Sequence, residues 1–258
     1  MLQNVHAPFT RTSESPWLTS TTHTLTAVSV VIMALIVVMS LTPTRTLSSR
    51  SEADAARGYL RQHKPEPLSG PLLSLLADSS KPRVPTEPHA LLGQLAPPFT
   101  LQDVDDTPTS LDDLLDRGPV VLVFYYGYSC DHCVSQLFDL NEDRGYFAEL
   151  GATVVGISPD VPSHTREKYA EYGRFEFPVL SDPDHKVAMT YGVYRPAFGD
   201  INEWKCHGTF VIGRDRHVHW VNTGPQPFSG NVTLLAELSR LQMRANVIAF
   251  STTQELQP

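Results

Sequence analysis

The stretch VVLVFYYGYSCDHCVSQL, residues 120–137, decides the fold class of this chain. Its first seven residues form a continuous apolar run of strand formers, which is typical of a central strand buried on both faces. A second run of this kind, GATVVGIS, covers residues 151–158. The residues between the runs, 131–150, mix apolar and polar side chains in a way that predicts a helix. Strand, helix and strand in this order predict a parallel βαβ unit.

Two further β-rich segments predict a hairpin near the end of the chain. GTFVIG at 208–213 and HVHWVN at 217–222 flank a short polar turn. A final helix is predicted at about 230–243, followed by a C-terminal tail at 244–258. We therefore expect an α/β domain at residues 91–243, with a central mixed β-sheet flanked by helices.

Composition excludes several classes of protein. The 258 residues include 20 Lys and Arg against 28 Asp and Glu, which gives a net charge of −8. This acidity argues against nucleic acid as a partner, because binding phosphates needs clustered cations. A hydrophobic content of 41% excludes a wholly disordered chain. Three cysteines are too few for a disulfide scaffold, and their uneven placement indicates chemistry.

The sequence of the N-terminal third indicates that the protein is anchored in a membrane. After a polar segment at 1–24, the run LTAVSVVIMALIVVMSL at 25–41 contains no charged residue. It reaches the lower limit of about 17 residues for a transmembrane helix, so we predict a retained anchor rather than a cleaved signal or a buried soluble helix. Residues 42–90 are rich in proline and predict a semi-rigid spacer, with short helices near 51–63 and 71–78.

The orientation of this single-pass protein is open to two interpretations. Four arginines follow the apolar run, at positions 45, 50, 57 and 61, and the positive-inside rule would then place the rest of the chain in the cytoplasm. The cysteine pair described next favours the opposite side, because disulfides persist in oxidising compartments. We expect the redox domain outside the cytoplasm.

The motif that carries chemistry is Cys130-Asp131-His132-Cys133, placed after the predicted central strand and at the start of a predicted helix. The N-terminal end of a helix stabilises a thiolate, which is the reactive form of cysteine. His132 would stabilise it further, whereas Asp131 would oppose it. A C-x-x-C motif next to a βαβ unit indicates a redox site.

A structural alternative is a zinc site completed by Cys206 and His207. These two neighbours are awkward to bring onto one metal, and the chain has no second C-x-x-C. For Cys206 alone the simplest interpretation is a small buried apolar side chain. For His207 it is a hydrogen-bonded histidine in a loop or at a strand edge.

Three stretches carry a family resemblance. FYYGYSCDHCVSQL resembles the active-site strand and helix of thioredoxin-fold redoxins, and ISPDVPSHTREKYAEYGRFEFPVLSDPDHKVAMTYGVY resembles the peroxiredoxin-like AhpC/TSA branch of them. HGTFVIGRDRHVHWVNTGPQPF fits the hairpin that follows in that branch. The resemblance covers about residues 91–240 and implies a thioredoxin-like fold with a redox-active Cys130–Cys133 pair. It also implies a peroxide or protein-disulfide substrate and a thioredoxin-like reductant.

The two halves of this resemblance assign the first attack differently. By register with the peroxiredoxin-like branch, Cys133 falls at the cysteine that attacks peroxide, whereas by similarity to thioredoxin Cys130 is the nucleophile. The chain departs from the peroxiredoxin pattern, because Cys130 replaces the usual Thr or Ser and residues 120–133 contain no proline. The position of the thioredoxin-fold cis-proline falls at His207.

We therefore predict an enzyme, a thiol-disulfide oxidoreductase or peroxiredoxin-like peroxidase, with Cys130, Cys133 and His132 as catalytic residues and with no cofactor or metal. FYYGYSCDHC also resembles Sco-type copper chaperones, and the alternative is copper binding by Cys130, Cys133 and His207, since soft thiolates select Cu(I). The spacing there is C-x-x-x-C rather than C-x-x-C. A redox-inert scaffold is a third possibility, which the intact C-x-x-C disfavours.

Overall fold

A computed structural model of the protein describes residues 68–255. The predicted anchor at 25–41 and the predicted helix at 51–63 lie outside this range. Within the described residues, no helix is both long enough and apolar enough to cross a bilayer.

Nine strands and seven helices lie within residues 68–255. The strands are β1 (Thr100–Asp103), β2 (Pro108–Ser110), β3 (Val120–Phe124), β4 (Thr153–Ser158), β5 (Val179–Ser181), β6 (Tyr194–Arg195), β7 (Trp204–Lys205), β8 (His207–Ile212) and β9 (Val218–Gly224). The helices are α1 (Gly70–Ala77), α2 (Leu111–Arg117), α3 (Asp131–Glu142), α4 (Arg144–Glu149), α5 (Pro162–Tyr172), α6 (Lys186–Thr190) and α7 (Asn231–Glu255). Seven strands form one sheet in the order β2-β1-β5-β4-β3-β8-β9, and β6 and β7 form a separate hairpin.

The predicted βαβ unit and hairpin are both confirmed. All five residues of β3 are buried, and β3 pairs in parallel with β4, with Val120 opposite Thr153. On its other side β3 pairs antiparallel with β8, where Val120 is opposite Ile212, and β8 pairs antiparallel with β9. The central sheet is therefore mixed, and β3 lies in its interior because its side chains are apolar on both faces.

Alternation along β3 divides the core into two apolar clusters. Val121 and Val123 belong to the cluster that α3 and α7 cover. Val120, Leu122 and Phe124 belong to the cluster on the opposite face, which α2 and α6 cover. Because successive strand residues point to opposite faces, one short strand supports both helical layers.

Two predicted helices differ in extent from the structure. The helix predicted over 131–150 is divided into α3 and α4 at Asp143, whose φ of −89° and ψ of 6° leave the helical region. Gly145 in the first turn of α4 adds little helix propensity. The final helix continues to Glu255 instead of ending near 243, and so takes in most of the predicted tail. Neither glycine nor proline occurs within α7 to stop it.

The described part of the predicted spacer is packed against the sheet. Leu72 of α1 is fully buried. The indole Nε1 of Trp220 in β9 donates a hydrogen bond to the carbonyl oxygen of Val84 at 3.1 Å. Residues 68–90 therefore belong to the folded domain, whereas 42–90 as a whole is predicted to be a spacer. Apolar side chains among the prolines explain the difference, because burying them stabilises the packed form.

Candidate active site

The candidate site lies at the carboxyl end of β3, where the chain leaves the sheet and enters α3. Cys130 immediately precedes α3 with extended backbone angles. Its carbonyl oxygen accepts hydrogen bonds from the N–H groups of Cys133 at 3.0 Å and Val134 at 3.2 Å. The first turn of α3 is thus built around Cys130, which places free N–H groups and the positive end of the helix dipole beside both cysteines.

Cys130 and Cys133 form a disulfide, with their Cα atoms 5.3 Å apart. Cys130 is half-buried, whereas Cys133 has no exposed surface. Because thiol–disulfide exchange needs a thiolate to reach one sulfur, a large reductant can attack Cys130 but not Cys133. Attack there would release Cys133 as the leaving thiolate.

The side chain of His132 lies beside the accessible sulfur. It is exposed in the first turn of α3, and both ring nitrogens lie 3.7 Å from the Sγ atom of Cys130. An imidazolium at this distance favours the thiolate over the thiol when the disulfide is open. The structure thus places all three predicted catalytic residues together on one turn of helix.

His207 lies next to this turn, but not in the environment that the sequence suggests. The sequence predicts a hydrogen-bonded histidine in a loop or at a strand edge, whereas His207 is 2% exposed and neither ring nitrogen has a hydrogen-bond partner. The reason is that β8 lies between β3 and β9 rather than at an edge. Its ring centroid is 4.2 Å from that of Tyr126 and 6.3 Å from that of His132. Burial lowers the pKa of His207.

The residues of the zinc alternative do not converge. Among residues 68–255, the His, Cys, Asp and Glu side chains that bring three or more potential ligand atoms within 4.8 Å of one another are Cys130, His132 and Cys133. Cys206 and His207 are not part of this group, and two of its members are already bonded to each other. Cys206 is a free, buried thiol whose pKa is raised by burial, in agreement with its interpretation as a small apolar side chain.

Sequence reasoning did not assign a role to Asp160, which holds the loop before the cysteines. Its Oδ2 atom accepts a hydrogen bond from the backbone N–H of Tyr128 at 2.9 Å. The loop passes so close that a Cβ atom on Gly127, at φ +98°, would lie 2.6 Å from the same oxygen. A signal was present in Ser158-x-Asp160, because the carboxyl ends of adjacent parallel strands meet at one edge of a sheet.

Aromatic packing anchors the same loop from the other side. The ring of Tyr128 is stacked on that of Tyr172 at 6.2 Å and meets the ring of Tyr125 edge-on at 6.0 Å. Burial raises the pKa of both Tyr125 and Tyr128, so these phenols stay neutral at physiological pH. The loop that delivers Cys130 is therefore fixed by one carboxylate and by packed rings.

A family assignment follows from comparison with known proteins. A model described as "AhpC/TSA family" matches residues 92–221, which include β1 to β8 and both cysteines of the site. The chain belongs to the AhpC/TSA family. The resemblance read from the sequence is thereby confirmed.

Individual relatives agree with this assignment. A putative peroxiredoxin of Mycobacterium tuberculosis H37Rv is 40% identical over 126 residues, which cover 49% of this chain and 80% of that protein. The putative peroxiredoxin bcp of Haemophilus influenzae is 36% identical over 104 residues, covering 40% of this chain and 65% of that protein.

The fold is shared with a solved peroxidoxin. The crystal structure of peroxidoxin BcpB from Mycobacterium tuberculosis superposes with a TM-score of 0.53 at 34% identity, over 59% of this chain and 99% of that one. The predicted thioredoxin-like α/β fold is thus confirmed. The copper-chaperone alternative finds no support in these comparisons.

Proposed function

We propose that this protein is a membrane-anchored thiol peroxidase that reduces hydroperoxides with the Cys130–Cys133 pair. The observation that carries the proposal is the disulfide across the first turn of α3, at the end of the central strand of an AhpC/TSA fold. Relatives named as peroxiredoxins support a thiol-dependent peroxidase.

The proposed reaction reduces the hydroperoxide ROOH in three steps. A cysteine thiolate attacks one oxygen of ROOH, the O–O bond breaks, and the products are a sulfenic acid and, after protonation, ROH. The second thiol attacks the sulfenic sulfur and releases water, which forms the Cys130–Cys133 disulfide. An external dithiol then reduces this disulfide and is itself oxidised. The net reaction consumes ROOH and two thiols and yields ROH, water and a disulfide.

We assign peroxide attack to Cys133 and resolution to Cys130. The assignment of Cys133 is supported by its register with the family. The assignment of Cys130 is supported by exposure, because Cys130 is half-buried whereas Cys133 has no exposed surface, so an external thiolate reaches Cys130 first. His132, at 3.7 Å from that sulfur, stabilises the Cys130 thiolate that attacks the sulfenic acid.

Single-cysteine variants test these roles. In Cys130→Ser, peroxide should leave one added oxygen atom on Cys133, trapped with a sulfenic-acid probe and located by mass spectrometry. In Cys133→Ser, peroxide consumption should stop. A Cys133→Ser protein that still consumes peroxide and carries the oxygen on Cys130 would reverse the assignment. Wild-type protein that reduces insulin disulfides but consumes no peroxide would instead identify a thiol–disulfide exchange enzyme.

The membrane anchor is supported by the sequence of residues 25–41, which is uncharged and long enough to span a bilayer. We place the redox domain outside the cytoplasm, where an oxidised Cys130–Cys133 pair persists. In membranes washed with alkaline carbonate, the full chain should stay in the pellet and a chain lacking residues 1–41 should not. Release of the full chain would exclude the anchor, and protection of the domain from external protease in spheroplasts would exclude the orientation.

A further inference from the structure

A small hairpin next to the active site exposes large apolar side chains. The β6–β7 hairpin, residues 194–205, consists of two short strands and the turn between them. Phe198 is 83% exposed, Ile201 52% and Trp204 45%. Phe198 and Ile201 are also joined by two backbone hydrogen bonds of 2.9 and 3.0 Å, so the turn is ordered by its own backbone. Exposed apolar side chains concentrated in one short segment are typical of interaction surfaces.

The hairpin is connected to the redox site through one aromatic ring. The hydroxyl of Tyr126 donates a hydrogen bond to the carbonyl oxygen of Lys205 at 3.0 Å, and the Lys205 ammonium lies 5.4 Å from the centre of that ring. The same ring packs on His207, whose ring is 6.3 Å from that of His132. The base of the β6–β7 hairpin is therefore linked through these rings to His132, which lies beside the accessible sulfur.

We propose that the β6–β7 hairpin is the docking surface for the protein dithiol that reduces the Cys130–Cys133 disulfide. This inference rests on the proposed function, since it names the partner of the same site. A protein that brings its thiolate to Cys130 must cover the surface around that sulfur, and the hairpin beside this surface exposes Phe198 and Trp204. Trp and other aromatic side chains dominate the energetics of protein–protein interfaces.

The charges of the hairpin favour a protein over a lipid surface. Arg195 and Lys205 are balanced by Asp200 and Glu203 within the same twelve residues. A surface that binds anionic lipid carries an excess of cations, which this hairpin lacks. An apolar centre with a balanced polar rim is instead typical of a protein interface.

The step at this interface is an exchange of disulfides. The partner's thiolate attacks the Sγ atom of Cys130, the Cys130–Cys133 bond breaks, and Cys133 leaves as a thiolate that takes up a proton. The partner's second thiol loses its proton and attacks the partner's sulfur in the mixed disulfide, which releases Cys130. Two electrons and two protons move from the partner dithiol to the cysteine pair.

The test compares a protein reductant with a small one, using the full chain in detergent. We would replace both tip residues, in the double variant Phe198→Ser with Ile201→Ser, and measure peroxide turnover with thioredoxin and with dithiothreitol. With thioredoxin, kcat/KM should fall about tenfold or more, as expected for loss of an interface hot spot. With dithiothreitol the rate should be unchanged, because the small reductant needs no docking surface.

Matched variants keep the result interpretable. Leu73→Ser removes a 51% exposed side chain on α1 and should leave both rates unchanged. Phe198→Leu should retain most of the thioredoxin rate if apolar contact is what matters. Equal losses with both reductants would show that the hairpin supports the site itself, and an unchanged thioredoxin rate would also overturn the proposal.

Two other outcomes would assign the hairpin to a different partner and so overturn the proposal. One is a change in oligomeric state in the double variant. The other is an unchanged thioredoxin rate together with slower reduction of a phospholipid hydroperoxide in vesicles. A wild-type protein that consumes peroxide with neither thioredoxin nor dithiothreitol would refute the proposed function and not the hairpin alone.

Discussion

Removing the Asp160 carboxylate should destabilise the fold and displace the loop that delivers Cys130. In the wild-type protein the backbone N–H of Tyr128 donates a hydrogen bond to Asp160 at 2.9 Å. In Asp160→Ala this N–H is left buried without an acceptor. A hydrogen bond to a charged group is worth about 1.5–3 kcal/mol, and an unpaired buried donor costs a similar amount, so we expect a loss of roughly 2–3 kcal/mol. For a domain of this size that is a fall in Tm of roughly 4–12 °C.

The neutral variant separates charge from hydrogen bonding. Asp160→Asn keeps an oxygen that can accept a hydrogen bond from the backbone N–H of Tyr128. Because hydrogen bonds to charged acceptors are about twice as strong as those to neutral ones, this variant should lose about half as much unfolding free energy as Asp160→Ala. Peroxide turnover should fall in the same order, with alanine worse than asparagine, because a displaced catalytic group can cost on the order of 10²-fold in rate.

Circular dichroism during thermal unfolding measures the loss of stability, and an assay of peroxide consumption measures the loss of turnover. The matched control is Asp184→Ala, which removes an exposed carboxylate paired with Lys186 and should change neither quantity appreciably. If Asp160→Ala unfolds at the wild-type temperature and turns over at the wild-type rate, the carboxylate does not hold the loop and the reasoning is refuted.

Three further predictions concern the histidines and the third cysteine. His132→Ala should slow alkylation of the reduced protein near neutral pH by raising the pKa of the Cys130 thiol; an unchanged alkylation profile would exclude this role. Burial lowers the pKa of His207. As the pH falls through about 6.5, this imidazole therefore becomes protonated in the unfolded chain but stays neutral in the folded protein. The free energy of unfolding is therefore unaffected by this titration above pH 6.5. Below pH 6.5 it declines by up to about 1.4 kcal/mol per pH unit. Urea titrations of His207→Phe should show a shallower acid slope than wild type, and equal slopes would contradict the assignment. Cys206→Ser should keep most of its peroxide turnover, since Cys206 is outside the group formed by Cys130, His132 and Cys133; a loss comparable to Cys130→Ser would place it in the mechanism.

The centre of the fold is predictable because strong local signals agree with the global arrangement. Residues 120–126 are apolar without interruption, and only a strand buried on both faces accommodates such a run. The following C-x-x-C then fixes where α3 begins. Short elements were missed for the opposite reason. The strands β6 and β7 have two residues each, which is too few to show the period of two.

The site was predictable only where its parts are close in sequence. Cys130, His132 and Cys133 share one helical turn, so their proximity follows from spacing alone. Asp160 and His207 reach the same place through strand order and register, which a single sequence does not state. His207 is buried because β8 also pairs with β3 on its other side, and no pattern around residue 207 indicates that neighbour.

The single turn that separates the two cysteines has a consequence for survival under oxidative stress. A sulfenic acid that meets a second peroxide becomes a sulfinic acid, which is irreversible unless a dedicated ATP-dependent reductase repairs it. That loss grows with peroxide concentration, whereas closure of the ring between two residues 5.3 Å apart at Cα is unimolecular and does not. The second cysteine of the pair therefore protects the first from overoxidation. Such an enzyme suits sudden bursts of oxidant rather than a steady low supply, and it has no need to unfold a helix in order to close its cycle.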